Sequence, residues 1–80
     1  RGVKYQLKHL FMNHNVYIAL IYAHPELAKH LIDHEVFAKE CSGIWSHKRI
    51  YVVSDPNMEF ATYKVMSGMG GVPSGGVLLT

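Results

Sequence analysis

The run Ser67-Gly68-Met69-Gly70-Gly71-Val72-Pro73-Ser74-Gly75-Gly76-Val77-Leu78-Leu79-Thr80 packs five glycines, one proline and two serines into its first ten residues. Such a stretch does not form a helix or strand interior, because each glycine loses extra backbone freedom on ordering and proline lacks an N–H donor. The apolar residues Val77 to Thr80 directly behind it read as the start of a buried helix. An extended segment, a glycine loop and a helix start let backbone N–H groups approach a ligand closely. The stretch lacks the Lys-Ser/Thr of a P-loop and the spacing of a dinucleotide fold. On composition alone a ligand loop and a plain linker both remain open.

Working outward, Arg49-Ile50-Tyr51-Val52-Val53 and Phe60-Ala61-Thr62-Tyr63-Lys64-Val65 are β-branched and aromatic. Ser54-Asp55-Pro56-Asn57 lies between them, with a proline that pre-sets φ and an Asp and Asn that bond locally. A β-hairpin over 49–66 is expected. Before it, Pro25 to Glu40 has the pattern of a helix. Pro25 suits the first helical position, Glu26 complements the dipole, and Ala28, Leu31, Ile32 and Val36 form a buried stripe. Glu35 and Lys39 are spaced as an i,i+4 pair, and Ser42-Gly43 ends the element. Residues 4–12 place Leu7, Leu10 and Phe11 at helical spacing with Lys4 and Lys8 on another face, and Asn13-His14-Asn15 interrupts them. The apolar run Val16 to Ala23 fits either a buried strand or a buried helical segment; the helical pattern that follows favours a helix. The fold class is therefore α+β: helices, a hairpin, then a glycine loop entering a helix.

Bulk properties bound the rest. Eighty residues, 49% of them hydrophobic, suffice for a single core and exclude a second domain. The charged fraction of 18% and nine aromatic residues (three Phe, one Trp, five Tyr) suggest surface that a neighbour covers. A formal charge of +2 permits nucleic-acid contact without arguing for it. One cysteine excludes an intrachain disulfide and points to a reducing, intracellular setting. No signal-peptide pattern opens the chain, and its eight-residue apolar run is too short to span a bilayer. The abrupt ends suggest a piece of a larger protein, a single partial domain over 1–80 with its loop at 67–76.

Three smaller constellations carry chemistry less strongly. His30 and His34 share a helix face, but no third metal ligand is fixed by spacing, and a solvated face is the commoner outcome. Cys41 and His47 have the identities of a nucleophile and base, whereas a free thiol is more often just packed away. Lys48-Arg49, with Trp45 and Tyr51 nearby, has the ingredients of a nucleic-acid contact and equally those of a solvated hairpin edge.

The segment from Gly70 to Thr80 resembles motif B of viral RNA-dependent RNA polymerases, which runs Gly-(Val/Met/Leu)-Pro-Ser-Gly and then a Thr. The resemblance implies a palm subdomain, in which the preceding aspartate motif is followed by one or two helices, extended segments and the motif B loop. By that correspondence Gly71, Ser74, Gly75 and Gly76 would handle template and incoming nucleotide as the loop flexes. Thr80 would support recognition of the nucleotide ribose, the feature by which RNA precursors are told from DNA precursors. The family's serine-to-threonine gap is one residue shorter than Ser74 to Thr80, so Gly75-Gly76 is an alternative register for its Ser-Gly pair. Implied partners are an RNA template and NTP; the implied cofactor is Mg2+ in the parent enzyme, with aspartate ligands outside this chain. The related reverse-transcriptase motif carries Gln where Ser74 stands. The fragment alone would be inactive. A small non-enzymatic α/β interaction module with a glycine-rich tail is the competing expectation.

Overall fold

The computed structural model describes residues 2–79; Arg1 and Thr80 lie outside that range. Helix α1 (Val3–Phe11) leads through an Asx turn, in which Asn13 Oδ1 accepts the Asn15 N–H, to strand β1 (Ile18–Ala23). Helices α2 (Pro25–Asp33) and α3 (Ala38–Cys41) follow, then strands β2 (Arg49–Ser54), β3 (Tyr63–Ser67) and the two-residue β4 (Val77–Leu78). The strands form a mixed four-stranded sheet in the order β3-β1-β2-β4. The α+β class expected from sequence is what the chain adopts.

Within that class the connections differ from expectation in four places. First, Val16 to Ala23 does not form a helix: Ile18–Ala23 is a central strand, with Ala19, Leu20 and Ile21 buried in succession. A strand covered on both faces reads as a continuous apolar run and loses its alternation. Proline also disfavours helical angles at the residue before it, and His24 has φ −54° and ψ 145°, so no helix runs through to Pro25.

Second, residues 49–66 are not a hairpin. β1 lies between β2 and β3, parallel to the former and antiparallel to the latter, with Ile21 opposite both Val52 and Val65. The expected local bond of the turn is present, Asp55 Oδ1 accepting the Asn57 N–H at 2.9 Å. The Asp55 N–H, however, reaches Ala23 O at 2.8 Å, so the connection passes over the end of β1 instead of folding back on β2. Two β-prone segments with a turn between them predict strands, and local chemistry does not say which strand each one joins.

Third, the helix from Pro25 stops at Asp33, because Glu35 takes φ 47°, a left-handed angle that ends the hydrogen-bond ladder. Glu35 and Lys39 therefore do not share one helix. The ion pairs formed instead are Lys29–Asp33 within α2 and Lys4–Glu40 between α1 and α3, the latter at 3.2 Å. Fourth, Val77-Leu78 forms a strand where a helix start was expected. The open edge of β2 captures it: Val52 faces Val77, Tyr51 faces Leu78, and the Leu79 N–H donates to Ile50 O at 2.8 Å.

The core lies on one face of the sheet. Ala19, Ile21, Ala23, Ile50 and Val52 pack there against Leu7 and Phe11 of α1, Ala28 and Leu31 of α2, and Phe37 and Trp45. Ile32 and Val36 of the expected stripe are half-buried against the same cluster. Fully burying side chains such as Leu7, Ile21, Ile50 and Val52 is worth about 1.5–3 kcal/mol each. Because residues paired across strands point to the same side, Ile18, Leu20, Tyr22, Arg49, Tyr51, Val53, Lys64, Met66 and Leu78 share the opposite face. None of these nine joins the helix-covered core.

Candidate functional site

The glycine loop joins the two outer strands, which are both antiparallel to the central pair and so parallel to each other, and it therefore crosses the helix-free face from the start of β1 toward the far half of β2. It does so in two successive turns. The Gly71 N–H donates to Gly68 O at 3.0 Å, and the Gly76 N–H donates to Pro73 O at the same distance. At the first turn Ser67 Oγ accepts the Met69 N–H, a local bond by which serine stabilises a reversal. Gly71 has φ 127°, a conformation that side-chain-bearing residues rarely adopt.

Two glycines seat the loop on the face opposite the helices. Gly68 is buried, and a Cβ there would lie 2.5 Å from Ile18 Cγ2 and 3.1 Å from Leu20 Cδ2. Its N–H donates to Ile18 O at 2.7 Å. Leu20, only 3% exposed though outside the helix-covered cluster, is thus capped by the loop. At the far end, a Cβ on Gly76 would lie 2.9 Å from Val72 Cγ1 and 3.7 Å from Tyr51 Cβ.

Of the residues singled out from the sequence, Gly71, Ser74 and Gly75 are exposed and Gly76 is half-buried. Ser74 and Gly75 occupy the centre of the second turn. No heavy atom beyond their chain neighbours comes within 4 Å of a Cβ built on Gly70, Gly71 or Gly75, so a ligand meets no side-chain wall there. Thr80 lies outside the described residues, and its expected ribose contact with it. The loop's two ends are anchored to the sheet and its middle is open.

The other constellations resolve differently. The His30 and His34 rings lie 4.4 Å apart on an exposed face, and among the described residues no three His, Cys, Asp or Glu side chains are grouped to hold a metal. Asp33 beside them is held below the usual carboxylate range, chiefly by its hydrogen bond from Lys29. Burial, reinforced by the charge of Glu40, pushes the Cys41 thiol up, which disfavours the thiolate a nucleophile requires. No hydrogen bond joins Cys41 to His47. Lys48 is also committed: its Nζ donates to Val16 O at 2.8 Å and lies 5.0 Å from the Phe11 ring centroid. Trp45 is buried edge-on against Phe11, Tyr51 is half-buried like Lys48, and Arg49 is exposed.

Tyr22 and Lys64 lie opposite one another on β1 and β3 on the helix-free face. Among the described residues no helix is long and apolar enough to cross a membrane. No protein-family model, curated protein or solved structure matches the chain.

Proposed function

We propose that the chain is a piece of a viral RNA-directed RNA polymerase palm, whose loop over residues 68–76 positions template and incoming nucleotide. The observation that carries this reading is the run Gly71-Val72-Pro73-Ser74-Gly75, similar to motif B and held as an open loop anchored at both ends. The order of elements supports it: a strand, two helices, two further strands and then the loop. In this role the loop's exposed backbone amides and the Ser74 hydroxyl would contact the nucleic acid. Gly71 would allow the backbone change that accompanies nucleotide entry.

Mg2+ does not fit the described residues. β1, the strand preceding the two helices, contains no Asp or Glu, and no set of three candidate ligands is grouped elsewhere. The metal ligands of a parent enzyme would therefore come from other segments, and no catalytic step is assigned to this chain.

A second reading, the small α/β interaction module, is favoured by one specific observation: the loop runs into an edge strand rather than a helix. Reading the coding sequence outward from both ends separates the two. The polymerase reading expects an aspartate pair upstream, an asparagine soon after Thr80 and a Gly-Asp-Asp further on. A Gly/Ser-rich continuation without those acids would leave the interaction module standing.

A further inference from the structure

The sheet has two outer strands, and their edges are protected differently. β4 is two residues long, which blunts its edge. β3 has five residues, with no proline or glycine and one charge, Lys64. The Gly68 N–H donates to Ile18 O at 2.7 Å, so by antiparallel alternation Met66 and Lys64 also turn their backbone groups toward β1. Tyr63, Val65 and Ser67 turn theirs the other way, and no backbone partner meets them among the described residues. A row of unpaired N–H and C=O groups is a template for another strand.

The side chains of these same residues stand on the helix side of the sheet, in register with Ala23, Ile21 and Ala19 of the core. There Val65 and α1 flank a depression of about 500 Å3, lined also by Tyr5, Gln6, His9 and Leu10. Its lining includes no Lys, Arg, Asp or Glu. Lys4 and Lys8 lie on the other flank of α1, where Lys4 meets Glu40 of α3.

β3 is complementary to itself. An axis of twofold symmetry at Val65, the middle of the strand, pairs its whole length antiparallel and uses the outward backbone groups of Tyr63, Val65 and Ser67. In that register Val65 faces its own counterpart at the depression, Tyr63 faces Ser67, and Lys64 faces Met66. Like charges directly opposite one another destabilise a strand pair, and here Lys64 avoids itself. An unrelated extended peptide would use the same backbone groups; the register and the charge favour a second copy.

We propose that β3 is a dimerisation edge, through which two copies of this chain join their four-stranded sheets into one and cover the groove beside α1. The proposal uses neither the glycine loop nor the motif B resemblance, and it does not rest on the polymerase reading.

The test is sedimentation equilibrium of the 80-residue chain from micromolar to millimolar concentration, with circular dichroism to confirm that each variant is folded. Lys64 and Met66 are exposed on the face away from the core, so charge can be changed there without disturbing it. Met66→Lys sets lysines opposite one another and should weaken dimerisation about tenfold, while Met66→Glu should tighten it by a similar factor. Adding Lys64→Glu to Met66→Lys restores opposite charges in register and should recover the dimer. In amide hydrogen exchange Tyr63, Val65 and Ser67 should gain protection as concentration rises, with Lys64 and Met66 protected throughout. A chain that stays monomeric over the whole range overturns the proposal, and so does a dimer indifferent to the charge at position 66.

Discussion

Gly68 shows how a single missing side chain holds the loop against the sheet. Its place is fixed by contact, since a Cβ would lie 2.5 Å from a branch methyl of Ile18, a β-branched residue with restricted χ1. Gly68→Ala should therefore destabilise the chain by about 1–3 kcal/mol, as overpacking does. Removing the obstructing methyl with Ile18→Ala should make the second substitution much less costly. A double-mutant cycle in urea reads the coupling, and simple additivity would show that the loop is not seated on Ile18. The sequence marked Gly68 as a loop glycine and nothing more. The reason it must be glycine lies fifty residues earlier in the chain, on a strand the run Val16 to Ala23 did not declare.

Among the elements, α1 and α3 are joined by a charge pair that spacing along one helix does not foretell. Lys4 Nζ lies 3.2 Å from Glu40 Oε2, while Oε1 of the same carboxylate is buried without a partner. A hydrogen bond from its own backbone amide, aided by Lys4, holds the Glu40 carboxyl below the ordinary glutamate range. The group is thus harder to protonate folded than unfolded. Its contribution is complete above the ordinary glutamate value and is lost as pH falls through the lowered one, from about pH 5 downward. Tm should fall more steeply on acidification for the parent chain than for Glu40→Gln; parallel curves would mean that the pair contributes nothing. The helices themselves were legible: Leu7 and Phe11 are buried in α1, Ala28 and Leu31 in α2, and Pro25 stands at the start of α2 as expected. Where α2 ends was not legible, because Glu35 has an ordinary helix-forming identity and yet takes a left-handed backbone angle.

For the whole molecule, the sequence conveyed the class and the position of most elements but not the order in which strands lie side by side. Alternation says which residues of β2 and β3 share a face; only the placement of β1 between them brings Tyr22, Tyr51 and Lys64 together. The candidate loop was legible because glycine and proline act locally. The face on which the loop is seated was not, because it is a property of three strands at once. The central claim is that nucleic acid meets this chain on the loop over residues 68–76, which lies across the helix-free face. Its most direct test follows the backbone amide resonances of the chain as oligouridylate is added. The account predicts shifts at residues 68–76, with α1 and α2 unmoved. Shifts confined to the helices, or none at saturating oligonucleotide, would contradict it.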